Sequence, residues 1–199
     1  MLQGLTDLLK SGRLARLDII NVDAGPAVAA AFGIRSTPWF RIGPFDLSGA
    51  MSKAELSEWV DYAAQDEGWA AYYRHLLEHR RLDEVTHRVE EAPSTLVDLL
   101  NLLADPATPM SVRIGISAVI EDRAGSEALR HAVPELEQLT LSEVPHARAD
   151  ACHFLALAGD ADAIPIARRL LDDEDPDVRE IAAETLAVLG DDSVPADGS

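Results

Sequence analysis

The chain has one cysteine in 199 residues, Cys152. A single thiol rules out an internal disulfide framework, and it leaves no Cys-x-x-Cys pair and no paired-cysteine zinc motif. Positive charge is also scarce. Seventeen Lys and Arg face 35 Asp and Glu, a net charge of −18. Phosphate binding needs a cationic face, so this balance argues against nucleic acid and equally against an anionic membrane surface. No apolar run approaches the ~18 residues that span a bilayer. The opening MLQGLTDLLKSGRLARL lacks a basic leader, an apolar stretch and a small-residue cleavage site, and follows an amphipathic helix pattern instead. These absences predict a cytoplasmic protein, with a basic partner as one way to use its charge. No phosphate loop and no Ser-His-Asp arrangement is present.

What is present suffices for a folded core. Apolar residues make up 47% of the chain, and 199 residues suit one large domain or two small ones. Residues 2–12 predict a helix with Leu2, Leu5, Leu8 and Leu9 on one face, closed by Gly12. Leu14–Asp23 (LARLDIINVD) has the Ile, Leu and Val content of a β-strand. A short helix is expected over Ala24–Phe32, ending at Gly33. Gly33-Ile34-Arg35-Ser36-Thr37-Pro38 follows, then strands Trp39–Ile42 and Phe45–Ser48 and an amphipathic helix Ser52–Tyr62.

This ordered run resembles the back half of the thioredoxin superfamily over residues 1–63. Ser36-Thr37-Pro38 stands where that family places its cis-proline, and X-Pro bonds adopt cis far more readily than other peptide bonds. The resemblance implies a cis Thr37–Pro38 bond, with Thr37 and Pro38 as binding residues for an extended peptide. The redox half of the family, with its Cys-x-x-Cys, has no counterpart here. The expectation is a mis-set start with that motif upstream of residue 1. In that case a thiol–disulfide oxidoreductase is the alternative function. Without the family's central strand, Asp18–Val22 would re-pair, borrow a strand from a second copy to give a homodimer through the incomplete sheet, or stay partly open.

Residues 64–94 read as a helical bridge. Trp69, Tyr72, Tyr73, Leu76 and Leu77 form an apolar stripe, and a break follows at Arg81-Leu82-Asp83. From residue 95 the chain repeats itself. Residues 132–160 align without gaps on 163–191, with 11 of 29 positions identical, a period of 31 residues. Pro145/Pro176, Arg148/Arg179, Leu155/Leu186 and Gly159/Gly190 are among the matches. A looser copy spans about 95–125. The pattern resembles short HEAT repeats of the kind found in phycobilisome-lyase-like proteins, which implies two antiparallel helices per unit and a surface for a protein partner. A weaker implication of the same resemblance is a tetrapyrrole-holding role.

The expected fold is thus an α+β thioredoxin-like fragment (1–63), a helical bridge (64–94), an all-α HEAT-like repeat region (95–191) and a tail (192–199). The expected function is a protein-interaction module that binds a protein or extended peptide and needs no cofactor, with no metal site and no catalytic residue. Cys152 aligns with Ala183 and reads as a small buried thiol. His153 aligns with Glu184 and reads as solvent-facing. His75 and His79, four apart, read as a solvated helix face, since a zinc helix needs His-Glu-x-x-His and further ligands. Arg113, Arg148 and Arg179 read as a structural ladder to acids or carbonyls of neighbouring units. Asp172-Asp173-Glu174-Asp175 reads as a hydrated turn.

Overall fold

The computed structural model describes residues 1–34, 36–65 and 68–191. The chain divides into two compact units, Met1–Gly68 and Trp69–Ser199. It is mostly helical, with one two-stranded sheet among the described residues.

The first unit holds α1 (Leu2–Lys10), α2 (Pro26–Ala31), β1 (Trp39–Ile42), β2 (Phe45–Ser48) and α3 (Lys53–Gln65). Helix α1 buries Leu5 and Leu8, while Leu2 is exposed and Leu9 half-buried. Gly4 lets α1 approach α3, because a Cβ there would meet Leu56 Cδ1 at 3.3 Å. The hairpin pairs Ile42 with Phe45 and Phe40 with Leu47. Alternation then puts Ile42, Phe45 and Leu47 in the core. Its two-residue turn needs a left-handed first residue, supplied by Gly43 at φ +56°. The bare Cα of Gly43 also fits against α3, where an added Cβ would stand 2.7 Å from Ala63 Cβ. A reciprocal cap starts α3: the Glu55 amide donates to Ser52 Oγ at 3.2 Å, and the Ser52 amide donates to Glu55 Oε2 at 2.7 Å. Phe45 and Trp59 close the core, their ring centroids 5.2 Å apart.

One element of the expectation fails. Leu14–Asp23 forms no strand. A strand exists only when its backbone pairs with a neighbour, and no described strand lies beside this segment. Ile19 and Ile20 are consequently 67% and 53% exposed. The helix expected over Ala24–Phe32 shortens to α2 and buries none of its residues.

The second unit is all helical. It runs α4 (Trp69–Glu78), α5 (Leu82–Glu91), α6 (Leu96–Asn101), α7 (Met110–Asp122), α8 (Glu127–His131), α9 (Val133–Leu139), α10 (Pro145–Ala158), α11 (Ala163–Arg169) and α12 (Pro176–Val188). Short 3₁₀ turns at Leu102–Ala104 and Leu170–Asp172 extend α6 and α11. In α4 the stripe buries Tyr72, Tyr73, Leu76 and Leu77 and leaves Trp69 half-buried. The break before α5 turns on Arg80, at φ +58°. Helix α4 packs on α5, α6 and α7.

The 31-residue period is visible in the backbone. Pro145 and Pro176 open α10 and α12, where the first helical turn has no partner for a proline's missing N–H. Gly159 and Gly190 follow those helices in the left-handed region, at φ +65° and +77°. Leu155 and Leu186 are fully buried. Helix α10 packs between α7 and α12. The sequence reading did not foresee α8, capped by Ser126, whose Oγ accepts from the Leu129 amide at 3.2 Å. The tail, 192–199, lies outside the described residues.

Candidate interaction surfaces

The Thr37–Pro38 bond is cis. Ser36 and Thr37 are exposed, and Pro38 is half-buried. The Pro38 carbonyl accepts from the Gly49 amide at 2.9 Å, which continues the β1–β2 ladder one step past the strands. Arg41 reaches across the hairpin to Asp46 through Nε at 2.5 Å and Nη2 at 2.8 Å. Its guanidinium also lies 5.1 Å from the Phe32 ring centroid and 5.7 Å from that of Trp39. A cation held by two rings and a carboxylate gives the end of α2 and the start of β1 a defined shape. Arg35 lies outside the described residues.

In the second unit Arg113 and Arg148 join neighbouring repeats, whereas Arg179 bonds within its own repeat. Arg113 of α7 donates to Asp150 of α10 at 2.6 Å. Arg148 of α10 makes a fork on Asp173, at 2.8 and 2.7 Å, and also donates to the Ser142 carbonyl at 2.9 Å. Arg179 repeats the last contact on the equivalent carbonyl of Asp173, at 2.7 Å. The hydrogen-bonded Arg148 holds the Asp173 carboxyl below its ordinary pKa, and Asp173 raises that of Arg148 in return. Two residues of the acidic turn are therefore structural, and the expectation of a merely hydrated loop is corrected. Asp173 is committed to Arg148, and Asp175 caps α12 by accepting from the Asp177 and Val178 amides at 2.9 and 3.4 Å.

The helices α7, α10 and α12 turn the same arc outward, exposed except at the half-buried Ala118, His146 and Ala149. In repeat register the rows read Met110, Pro145, Pro176; Ser111, His146, Asp177; Ile114, Ala149, Glu180; and Ala118, His153, Glu184. Met110 and Ile114 are each 64% exposed, one turn apart on a helix whose opposite face buries Val112, Ile116, Val119 and Ile120. His153 is exposed, as expected. His146, beside Arg113 and Asp150, titrates below its ordinary value, first because it is desolvated and then because of Arg113. Charge is divided unevenly along the chain. Residues 1–68 carry 9 acidic and 6 basic side chains, which leaves 26 and 11 in residues 69–199, a net −15. Neither the exposed apolar pair on α7 nor the acidic row on α12 was singled out from the sequence. The signal was available in the non-identical positions of the repeat alignment, since the identical ones report packing.

Cys152 is fully buried, as expected. Its thiol lies 3.6 Å from Thr185 Oγ1, and burial pushes its pKa up to about 11. The pair His75 and His79 stack with ring centroids 4.3 Å apart. Desolvation, then the neighbouring His79 and Arg81, push the His75 pKa down to about 4. Among the described residues no three metal-ligating side chains converge. No described helix is long and apolar enough to cross a membrane. Two recesses, of about 320 and 370 Å³, are open to solvent between α6 and α9 and between α5 and α7.

A family model described as HEAT repeats matches residues 133–196. The match takes in α9 to α12, the two helix pairs of the 31-residue period, and the helical second unit fits a HEAT-like repeat. Comparison with curated proteins and with solved structures finds no match.

Proposed function

We propose that the protein is a protein-interaction module whose partner docks on the outward arc of α7, α10 and α12. The observation that carries this reading is the paired exposure of Met110 and Ile114, one turn apart on α7, a helix whose opposite face is buried. Apolar side chains gain about 25 cal/mol per Å² when a partner covers them. Helices locked in register by Arg113–Asp150 and Arg148–Asp173 present those side chains on a rigid scaffold. The test is selection of a displayed random 12-residue peptide library on the full chain, followed by hydrogen-exchange mapping of an enriched peptide. Protection of 110–121, 146–157 and 177–188 is expected. Protection elsewhere, or no enrichment, would overturn the reading.

The first unit is read as a thioredoxin-like part that positions an extended peptide at Thr37 and Pro38. Support comes from the hairpin and α3, which follow Pro38 in the order that resemblance requires. The thiol–disulfide alternative has one thiol in these 199 residues, and it is buried. A homodimer through the incomplete sheet is favoured by one observation, the exposed Ile19 and Ile20 in a segment that forms no strand. Sedimentation of the wild type against Ile19→Ser/Ile20→Ser tests it. A monomer in both cases removes the dimer.

A further inference from the structure

The docking arc has a direction. Helix α7 offers Met110 and Ile114, α10 offers His153, and α12 offers Asp177, Glu180 and Glu184. These three carboxylates lie at i, i+3 and i+7, one stripe of a helix. The Arg of α12 that could neutralise them, Arg179, is turned back onto the Asp173 and Glu174 carbonyls at 2.7 and 3.0 Å. In its rows from Ser111 to Ala118 the surface thus passes from apolar or neutral to acidic across three packed helices, within a unit of net charge −15. The next row, Asp122, Leu157 and the 71% exposed Val188, runs the other way.

From this juxtaposition we infer that the partner is an extended basic segment with an apolar anchor, its apolar residues seated on α7 and its Lys or Arg residues on α12. The inference rests on the protein-binding reading of this arc and names the partner's chemistry. The spacing follows from geometry. Two interhelix steps of about 8–10 Å separate α7 from α12. An extended chain rises about 3.3 Å per residue, so about five or six residues lie between anchor and cation. Charge complementarity selects the partner and speeds encounter, and the apolar pair fixes polarity along the arc.

The experiment uses the full chain and three synthetic peptides, each fluorescently labelled. One carries Leu-Leu, a five-residue Gly/Ser spacer and Lys-Lys-Lys. The second replaces Lys by Glu, and the third shortens the spacer to one residue. Anisotropy at low salt should show the first peptide binding at least tenfold more tightly than either of the others. Its affinity should fall steeply between 50 and 300 mM salt. Glu180→Lys/Glu184→Lys, both surface changes, should weaken it at least tenfold, and Ile114→Ser should weaken it several-fold with its salt dependence kept. Equal binding of the Lys and Glu peptides would overturn the inference, as would enrichment of library peptides that map to the arc but lack Lys and Arg. In that last case the protein-binding reading survives. No enrichment at all removes both.

Discussion

Arg148 and Asp173 lock one repeat to the next through two parallel hydrogen bonds, with side chains only 8% and 9% exposed. The guanidinium plane matches the carboxylate, so both charges are satisfied where water has little access. Removing one partner leaves the other desolvated, which costs on the order of 3 kcal/mol.

Arg148→Ala and Asp173→Asn should therefore each lower the melting temperature markedly. Arg148→Ala should do more harm, because it also abandons the Ser142 carbonyl. The double variant should be less than additive in a thermodynamic cycle. Strict additivity would show that the pair is not coupled. The sign with pH follows from Asp173. Its folded pKa lies below the unfolded value of about 4, so its contribution is full above that value and is lost as pH falls through the folded one.

His75 gives a second, milder pH window. Its folded pKa, pushed down to about 4, lies below the ordinary value of about 6.5. The unfolded chain protonates first, so stability is full above about pH 6.5 and declines as pH falls towards 4. A variant His75→Gln should flatten urea midpoints across that window. A slope equal to that of the wild type would assign the dependence to another group.

Leu155→Asp and Leu186→Asp each bury a charge at the same repeat position and should destabilise the unit by several kcal/mol. Val188→Asp, two residues on and 71% exposed, should leave the melt almost unchanged. Midpoints that fail to separate the two classes would mean the repeat register is wrong.

Cys152 should label slowly with a thiol reagent and rapidly in denaturant. A thiol with pKa about 11 is almost entirely protonated at pH 7, and this one is buried as well. The chain should show no dithiol exchange with insulin. Turnover at a thioredoxin-like rate would point to an opening of α10.

Period and punctuation were the legible parts of the sequence. Pro145, Gly159, Pro176 and Gly190 act locally, through a missing N–H or a permitted positive φ, and each stands where its own chemistry places it. The hairpin was legible for the same reason, since Gly43-Pro44 is bracketed by alternating apolar residues. Leu14–Asp23 misled because strand propensity describes a residue's fit to a sheet, and no neighbouring strand is there to supply one. The acidic turn misled for a different reason. Whether Asp173 is hydrated or paired depends on a guanidinium 25 residues away, a tertiary fact that composition cannot carry.

The ladder also sets how the repeats come apart. In each rung the arginine belongs to the earlier repeat and the acid to the later one, Arg113 to Asp150 and Arg148 to Asp173. Peeling away α11 and α12 alone would strand the Arg148 guanidinium against a partly desolvated surface. Repeat arrays ordinarily fray from their termini, unit by unit. Here each rung makes the frayed intermediate costly, so opening of α11 and α12 is coupled through Arg148 to α10 and in turn through Arg113 to α7, and the slowest amides of these helices should exchange together rather than unit by unit.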